Sequence, residues 1–334
     1  MNEVNENRKQ LRLIPCAACG AKLFLASDLP PLSTTPCTKC GAAVMMPMRL
    51  RQFELRAAIG AGGMGTVYRA YDTTLQREVA VKLMKRELAT DPQALESFTR
   101  EARACARLNH TNIVHIYTFD EFDGQPYLVM ELADRGSLDN WIEAGKVPEL
   151  DVLDLGIKVA SALDTALKQG LLHRDIKPGN ILFNAEGEPK LVDFGLARST
   201  DADPDHETAI WGTPYYIAPE KIRREKEDFL SDMYSLAATL YHAITQHVPF
   251  EAPTAEEVAA AHVHVPLTPP HKVVPGISRP TSDALGKAMA KAPAERFESY
   301  DAFIMALEAA RSQYLVAHYA GPKEGARSRG WWRL

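Results

Sequence analysis

The 334-residue chain has no apolar run of bilayer length. Its longest apolar stretches, such as residues 234–244, fall well short of the roughly 20 residues a spanning helix needs and read as buried core helix. Excess positive charge is also missing. With 38 Lys and Arg against 43 Asp and Glu, the net charge of −5 turns the expectation away from nucleic acid as the main partner. Residues 1–10 are polar and hold no apolar core of a secretory leader, so a cytoplasmic location is expected. No repeat of fixed period occurs, which sets solenoid architectures aside. Cysteine is scarce, with five in all, and Cys16, Cys19, Cys37 and Cys40 form two tight pairs. Without a leader, such pairs point to metal rather than to disulfides. The fifth, Cys105, reads as a small buried hydrophobe.

What is present divides into three regions. Residues 11–46 hold the paired cysteines and a proline-rich bridge at Pro30 and Pro31. Residues 53–132 alternate strand-like runs (53–59, 66–72, 78–83 and 127–132) with one helical stretch. That stretch opens at Asp91-Pro92, a capping residue followed by proline at the first helical position. It sets Phe98, Ala102, Cys105 and Leu108 on one face at helical spacing. Residues 137–313 read as mostly helical, with 151–168, 231–244 and 282–291 as the clearest helices, and residues 314–334 as a tail.

The knuckles Cys16-x-x-Cys19-Gly20 and Cys37-x-x-Cys40-Gly41 are separated by 17 residues. Two thiolates three residues apart around a tight turn grip an ion from one side, and glycine lets the chain turn sharply. Two such knuckles complete a tetrahedral four-cysteine shell, and the spacing suits structural zinc in a small ribbon over residues 11–46. Four protein ligands leave no position for water, so this metal is expected to be structural. Three roles for the ribbon stay open: packing on the rest of the chain, docking a protein, or meeting nucleic acid. Residues 50–320 are expected to fold without it.

Gly60-Ala61-Gly62-Gly63-Met64-Gly65-Thr66-Val67 lies between two strand-like runs and reads as a hairpin loop over phosphates. Without Cβ atoms, its backbone N–H groups can approach an anion closely. Lys82 ends the run Val79-Ala80-Val81-Lys82, 17 residues after Gly65. Glu101 follows 19 residues later in mid-helix, on a face that could meet the lysine and hold it against phosphates.

Further on stand His173-Arg174-Asp175-Ile176-Lys177-Pro178-Gly179-Asn180, Asp193-Phe194-Gly195 and Ala218-Pro219-Glu220. With this series in order, residues 53–313 resemble a eukaryotic-like Ser/Thr protein kinase of the bacterial type. The resemblance implies an α+β, bilobal protein kinase fold, with a β-rich N-lobe at 53–132, a helical C-lobe at 137–313 and ATP between them, preceded by the zinc ribbon. It implies that Asp175 accepts the substrate hydroxyl's proton, that Lys177 neutralises the moving phosphoryl group, and that Asn180 and Asp193 hold Mg²⁺. Val67, Ala80 and Leu182 would sandwich adenine, backbone groups of Glu131 and Ala133 would bond its edge, and Met130 would stand beside the pocket. Asp232 would brace the catalytic loop, and Arg296 would pair with Glu220. Lys177 and Thr213 speak for the Ser/Thr branch. One departure is Ala237, where similar kinases commonly carry glycine, and only a small packing change is expected from it.

Arg174, directly before Asp175, would turn its charge toward the activation segment 193–220. A phosphate on Thr208 would meet that charge and order the loop; the competing reading takes Thr208 as a solvated loop residue. Trp331 and Trp332 with Arg327, Arg329 and Arg333 end the chain either as a disordered basic tail or as a lipid-interface contact. The partners expected overall are protein substrates, with a docking partner on the ribbon as a further option. A catalytically dead scaffold working through the ribbon is the competing function.

Overall fold

A computed structural model describes residues 11–145, 147–194, 198–199 and 214–319, with only the backbone described at Glu101, Ala104, Arg198 and Ser199. The chain divides into two compact units, Met1–Ala106 with Val114–Asp134, and Arg107–Ile113 with Arg135–Leu334.

The first unit opens with the ribbon. Strands β1 (Leu11–Pro15) and β2 (Lys22–Ala26) form one antiparallel hairpin, and β3 (Thr34–Pro36) and β4 (Ala43–Met45) form a second. Each hairpin carries one cysteine knuckle at its turn. Ile14, Leu23, Leu25, Val44 and Met46 pack with Cys16 and Cys37 into a small core of their own.

The main sheet runs β5 (Met48–Leu50), β6 (Phe53–Ala61), β7 (Gly65–Asp72), β8 (Arg77–Met84), β10 (Gln125–Met130) and β9 (Ile116–Phe122), antiparallel throughout. Helix α1 (Pro92–Ala106) lies between β8 and β9 in sequence. Alternation of side chains along each strand gives the sheet two apolar faces. One buries Leu50, Leu55, Val79, Val81 and Tyr127; the other places Met84 and Leu128 under Phe98 and Ala102 of α1. The expected cap holds, since Asp91 Oδ1 accepts the Gln93 N–H at 2.9 Å.

β5 was not anticipated, because three residues carry too little periodicity to show in the sequence. Met45 of the ribbon is buried in the same cluster as Leu55 and Val79, and Leu32 packs against that cluster. Packing on the lobe is thus the ribbon role that the fold supports. A chain cut at residue 50 would lose β5 almost entirely and Met45 with it. That loss costs about 1.5–3 kcal/mol for the one buried side chain.

In the second unit come α2 (Leu138–Ala144), α3 (Glu149–Lys168), and the short strands β11 (Leu171–Leu172), β12 (Ile181–Phe183), β13 (Pro189–Leu191) and β14 (Arg198–Ser199). Then follow α4 (Pro219–Ile222), α5 (Phe229–Thr245), α6 (Ala255–His264), α7 (Pro270–Val273), α8 (Arg279–Ala288) and α9 (Tyr300–Tyr319). α5 is apolar on nearly every side and is buried almost throughout. Ala237, fully buried within it, leaves the helix regular. The helix expected at 282–291 starts earlier, on the Ser278 cap, and ends at Ala288, so Lys291 lies beyond it. α9 runs through residue 313 to Tyr319. The fold class is as expected, a β-rich unit and a helical unit. Among the described residues no helix is long and apolar enough to cross a membrane.

Candidate functional site

The ribbon brings its four sulfurs within 4.8 Å of one another. Cys16 and Cys40 Sγ are 3.7 Å apart, as are Cys19 and Cys37 Sγ. A disulfide would need about 2.05 Å. A tetrahedral ion with sulfur bonds of about 2.3 Å needs sulfurs about 3.8 Å apart, so the cage fits such an ion. Both knuckles close alike: Gly20 N–H donates to Cys16 O and Gly41 N–H to Cys37 O, with φ of +69° and +75°, where glycine is favoured. The N–H of Lys39, with that of Cys40, holds the Cys37 thiol down to about 6. Cys40, although the Ala42 N–H favours its thiolate, is pushed up to about 12 by the neighbouring sulfurs and by burial. Four thiolates so close need a cation among them to ionise together.

The glycine loop joins β6 to β7. A Cβ on Gly65 would stand 2.4 Å from Leu83 O, so β8 itself demands glycine there. Gly60 and Gly62 would meet nothing closer than 3.8 Å, so no neighbouring strand explains them. Val67 on β7 faces Lys82 on β8, and Ala80 faces Met130 on β10. Alternation puts Ala80, Lys82 and Met84 on the α1 side of the sheet, where Lys82 Nζ lies 5.8 Å from the Phe98 ring centre. Glu101 is on α1; its side chain, and hence its pairing with Lys82, is outside the described residues. The Glu131 N–H donates to His115 O at 2.8 Å, so that N–H is already engaged. Ala133 is buried beside it.

In the helical unit, Asp175 is the centre of a tight polar cluster. Lys177 Nζ donates to Asp175 Oδ2 at 2.7 Å, and Asn180 Nδ2 donates to the same oxygen at 2.9 Å and to Asp175 O at 2.7 Å. With its nitrogen so committed, the Asn180 amide offers only its oxygen to a metal, the hard ligand Mg²⁺ takes. Val192 N–H donates to Asn180 O at 3.0 Å, which ties the strand before Asp193 to this loop. Leu182 lies on β12, two residues after Asn180.

Support for the cluster comes from buried polar groups. Asp232, near the start of α5, accepts the N–H groups of His173 at 2.7 Å and Arg174 at 2.8 Å. His173, fully buried, bonds Val192 O through Nε2 at 3.0 Å and packs on the Phe194 ring. Since its Nδ1 accepts the Asp175 N–H, Nε2 carries the proton. Burial lowers the His173 pKa, with Asp232 opposing. Arg296 and Glu220 form a bidentate pair at 2.6 and 2.7 Å, and Ser231 Oγ donates to Glu220 at 2.7 Å. Burial alone would raise the Glu220 carboxyl, but Arg296 outweighs it and leaves it below the ordinary value.

Arg174 Nε is buried and has no hydrogen-bond partner among the described residues. Thr208, Thr213 and the terminal tryptophans lie outside the described residues. Sequence reasoning assigned no role to His173 or to Lys221, which donates to Arg174 O at 2.9 Å. The motif flagged the histidine, whereas nothing local marks the lysine.

The family model described as protein kinase domain matches residues 53–314. The probable serine/threonine-protein kinase PknB of Bifidobacterium longum is 38% identical over 265 residues, covering 75% of this chain and 38% of PknB. The serine/threonine-protein kinase PknA of Mycobacterium tuberculosis is 37% identical over 268 residues, covering 78% of this chain and 62% of PknA. The chain therefore spans less than two thirds of the length of these relatives.

Proposed function

The chain belongs to the protein kinase family, and from that premise we propose that it moves the γ-phosphate of ATP, with Mg²⁺, onto Ser and Thr hydroxyls of protein substrates. The observation that carries this reading is the convergence of Lys177 and Asn180 on Asp175 Oδ2. Both bonds fall on one oxygen, and in this reading Oδ1 takes the incoming hydroxyl. In the transfer the substrate oxygen bonds to the γ-phosphorus, the bond to the β-bridging oxygen breaks, the hydroxyl proton passes to Asp175, and ADP leaves. Lys177 neutralises charge on the moving group. Asn180 and Asp193 would hold Mg²⁺, which would supply positive charge to the phosphate oxygens.

Gly60, Gly62 and Gly65 cover the phosphates, with Lys82 set against them by Glu101. Val67, Ala80 and Leu182 enclose adenine, whose edge meets the backbone of Glu131 and Ala133. The cysteine cage takes one structural Zn²⁺, and the protein works in the cytoplasm. Activation follows from phosphorylation of Thr208 by a second copy of the kinase, with Arg174 receiving the phosphate. The buried Arg174 Nε, without a hydrogen-bond partner among the described residues, supports this reading.

The test is transfer from labelled ATP to a generic basic protein, followed by identification of the modified residues. Phosphoserine and phosphothreonine are expected on the substrate, and phosphate on Thr208 of the enzyme. Phosphotyrosine alone, or no transfer with Mg²⁺ present, would overturn the reading. A Thr208→Ala variant as active as wild type would remove only the activation step.

A further inference from the structure

The peptide that leads into Asp175 is held in a conformation it would not choose. Arg174 has φ of +68°, a left-handed position that a side-chain-bearing residue rarely adopts. Such a residue stays there only if its surroundings over-determine it. Asp232 grips one side, through the N–H groups of His173 and Arg174. The other side is the Arg174 carbonyl, whose plane includes the Asp175 N–H, and Lys221 Nζ bonds it at 2.9 Å.

Lys221 is itself well placed to act as an anchor. It follows Glu220 on α4, and Glu220 is locked by the buried bidentate pair with Arg296 and by Ser231. Glu227 Oε2 lies 3.8 Å from Lys221 Nζ and makes no hydrogen bond among the described residues. The carboxylate stands farther off than the carbonyl oxygen, which takes the ammonium's hydrogen bond. A charge-assisted bond of this kind is stronger than a neutral one. Burial raises the Asp232 carboxyl pKa, opposed by His173, by the two N–H groups it accepts and, least, by Lys221.

We propose that Lys221 is a positioning residue for phosphoryl transfer: it fixes the Arg174–Asp175 peptide and so aims the Asp175 carboxylate. The inference rests on the transfer reading above for its kinetic consequence, but not for its structural one. It makes α4, at the far end of the activation segment, a direct mechanical neighbour of the base.

The experiment compares the full chain with its Lys221→Met, Lys221→Arg and Lys226→Met variants. Lys221→Met should lose about 10- to 100-fold in kcat through misplacement of the base. KM for ATP and for the protein substrate should stay within about twofold, since no binding contact is removed. Lys221→Arg, which can still donate to the carbonyl, should recover most of the loss. Lys226→Met, an exposed lysine on the following loop, should match wild type. Amide exchange across residues 173–176 should quicken in Lys221→Met alone, a readout that needs no activity. Unchanged kcat in Lys221→Met would overturn the proposal, as would a raised KM for protein at constant kcat, which would mean substrate contact. Loss of melting temperature without rescue by arginine would equally overturn it. Should wild type transfer nothing, the transfer reading falls, and unchanged exchange in Lys221→Met would still decide against the anchor.

Discussion

In the knuckles the left-handed positions are Gly20 and Gly41, whereas in the loop before Asp175 and the strand end beside it they are Arg174 and Asp193, with φ of +68° and +66°. Glycine adopts that conformation freely, so a knuckle turns on its own five residues. Arginine and aspartate do not, and the helical unit compensates from a distance. Asp232 lies 58 residues from Arg174 and Lys221 lies 47, yet both bond its backbone. A turn made locally is cheap. One made by tertiary contacts is strained and depends on the fold around it.

That contrast can be broken most severely at the knuckles. Replacing Cys16 and Cys19 by serine should take metal content from one Zn²⁺ per chain to none and unfold the ribbon, because structural zinc supplies about 10–16 kcal/mol in comparable peptides. Elemental analysis of protein purified without chelator checks it, and absence of zinc from the wild type would end the metal reading. In the helical unit the largest loss should come from Arg296→Ala, which strands the buried Glu220. Breaking such a pair costs about 3–5 kcal/mol, measurable by denaturant unfolding. Next stands Met45→Ala, expected to cost about 2–5 kcal/mol. Its value sharpens the comparison, since Met45 sits in the ribbon but packs into the main sheet. Hydrogen exchange should show the extra opening in β5 and β6, not in the knuckles alone.

Acid supplies the mildest test. Burial lowers the pKa of His110, His173, His242 and His262, the last to about 3. Each is easier to protonate unfolded, near the ordinary 6.5, than folded. Their neutral forms are matched in both states above pH 6.5, and stability is lost as pH falls below it. The melting temperature should therefore be lower at pH 5 than at pH 7. Equal values would mean that these rings protonate without unfolding. The ribbon's own hairpins contain no histidine, so their acid response should track the thiolates and zinc instead.

Much of this was legible in the sequence where the signal was local. The knuckle spacing, the Asp91-Pro92 helix start and the alternating strands each depend on residues within one turn or one strand. Strand and helix ends moved by one to three residues, because caps such as Ser278 sit outside the periodic run. Apart from β9, a seven-residue strand that the sequence reading also missed, what stayed hidden was non-local. β5 is three residues long and exists only because β6 offers an edge. The Lys221 bond to Arg174, like the burial of Met45, follows from chain paths that no spacing rule reports. Asp232 was placed only through the family resemblance, since an aspartate in an apolar helix has no local mark of its partner.

The central claim is that Asp175, with Oδ2 held by Lys177 and Asn180, is the base of a phosphoryl transfer. The most direct measurement sets turnover beside nucleotide affinity in wild type and Asp175→Asn. General-base loss predicts a fall in kcat of about 10²–10⁴-fold. The Kd for ATP with Mg²⁺ should stay within about threefold, because Lys82, Asn180 and Asp193 remain and uniform binding is untouched. Near-normal turnover in Asp175→Asn would contradict the account.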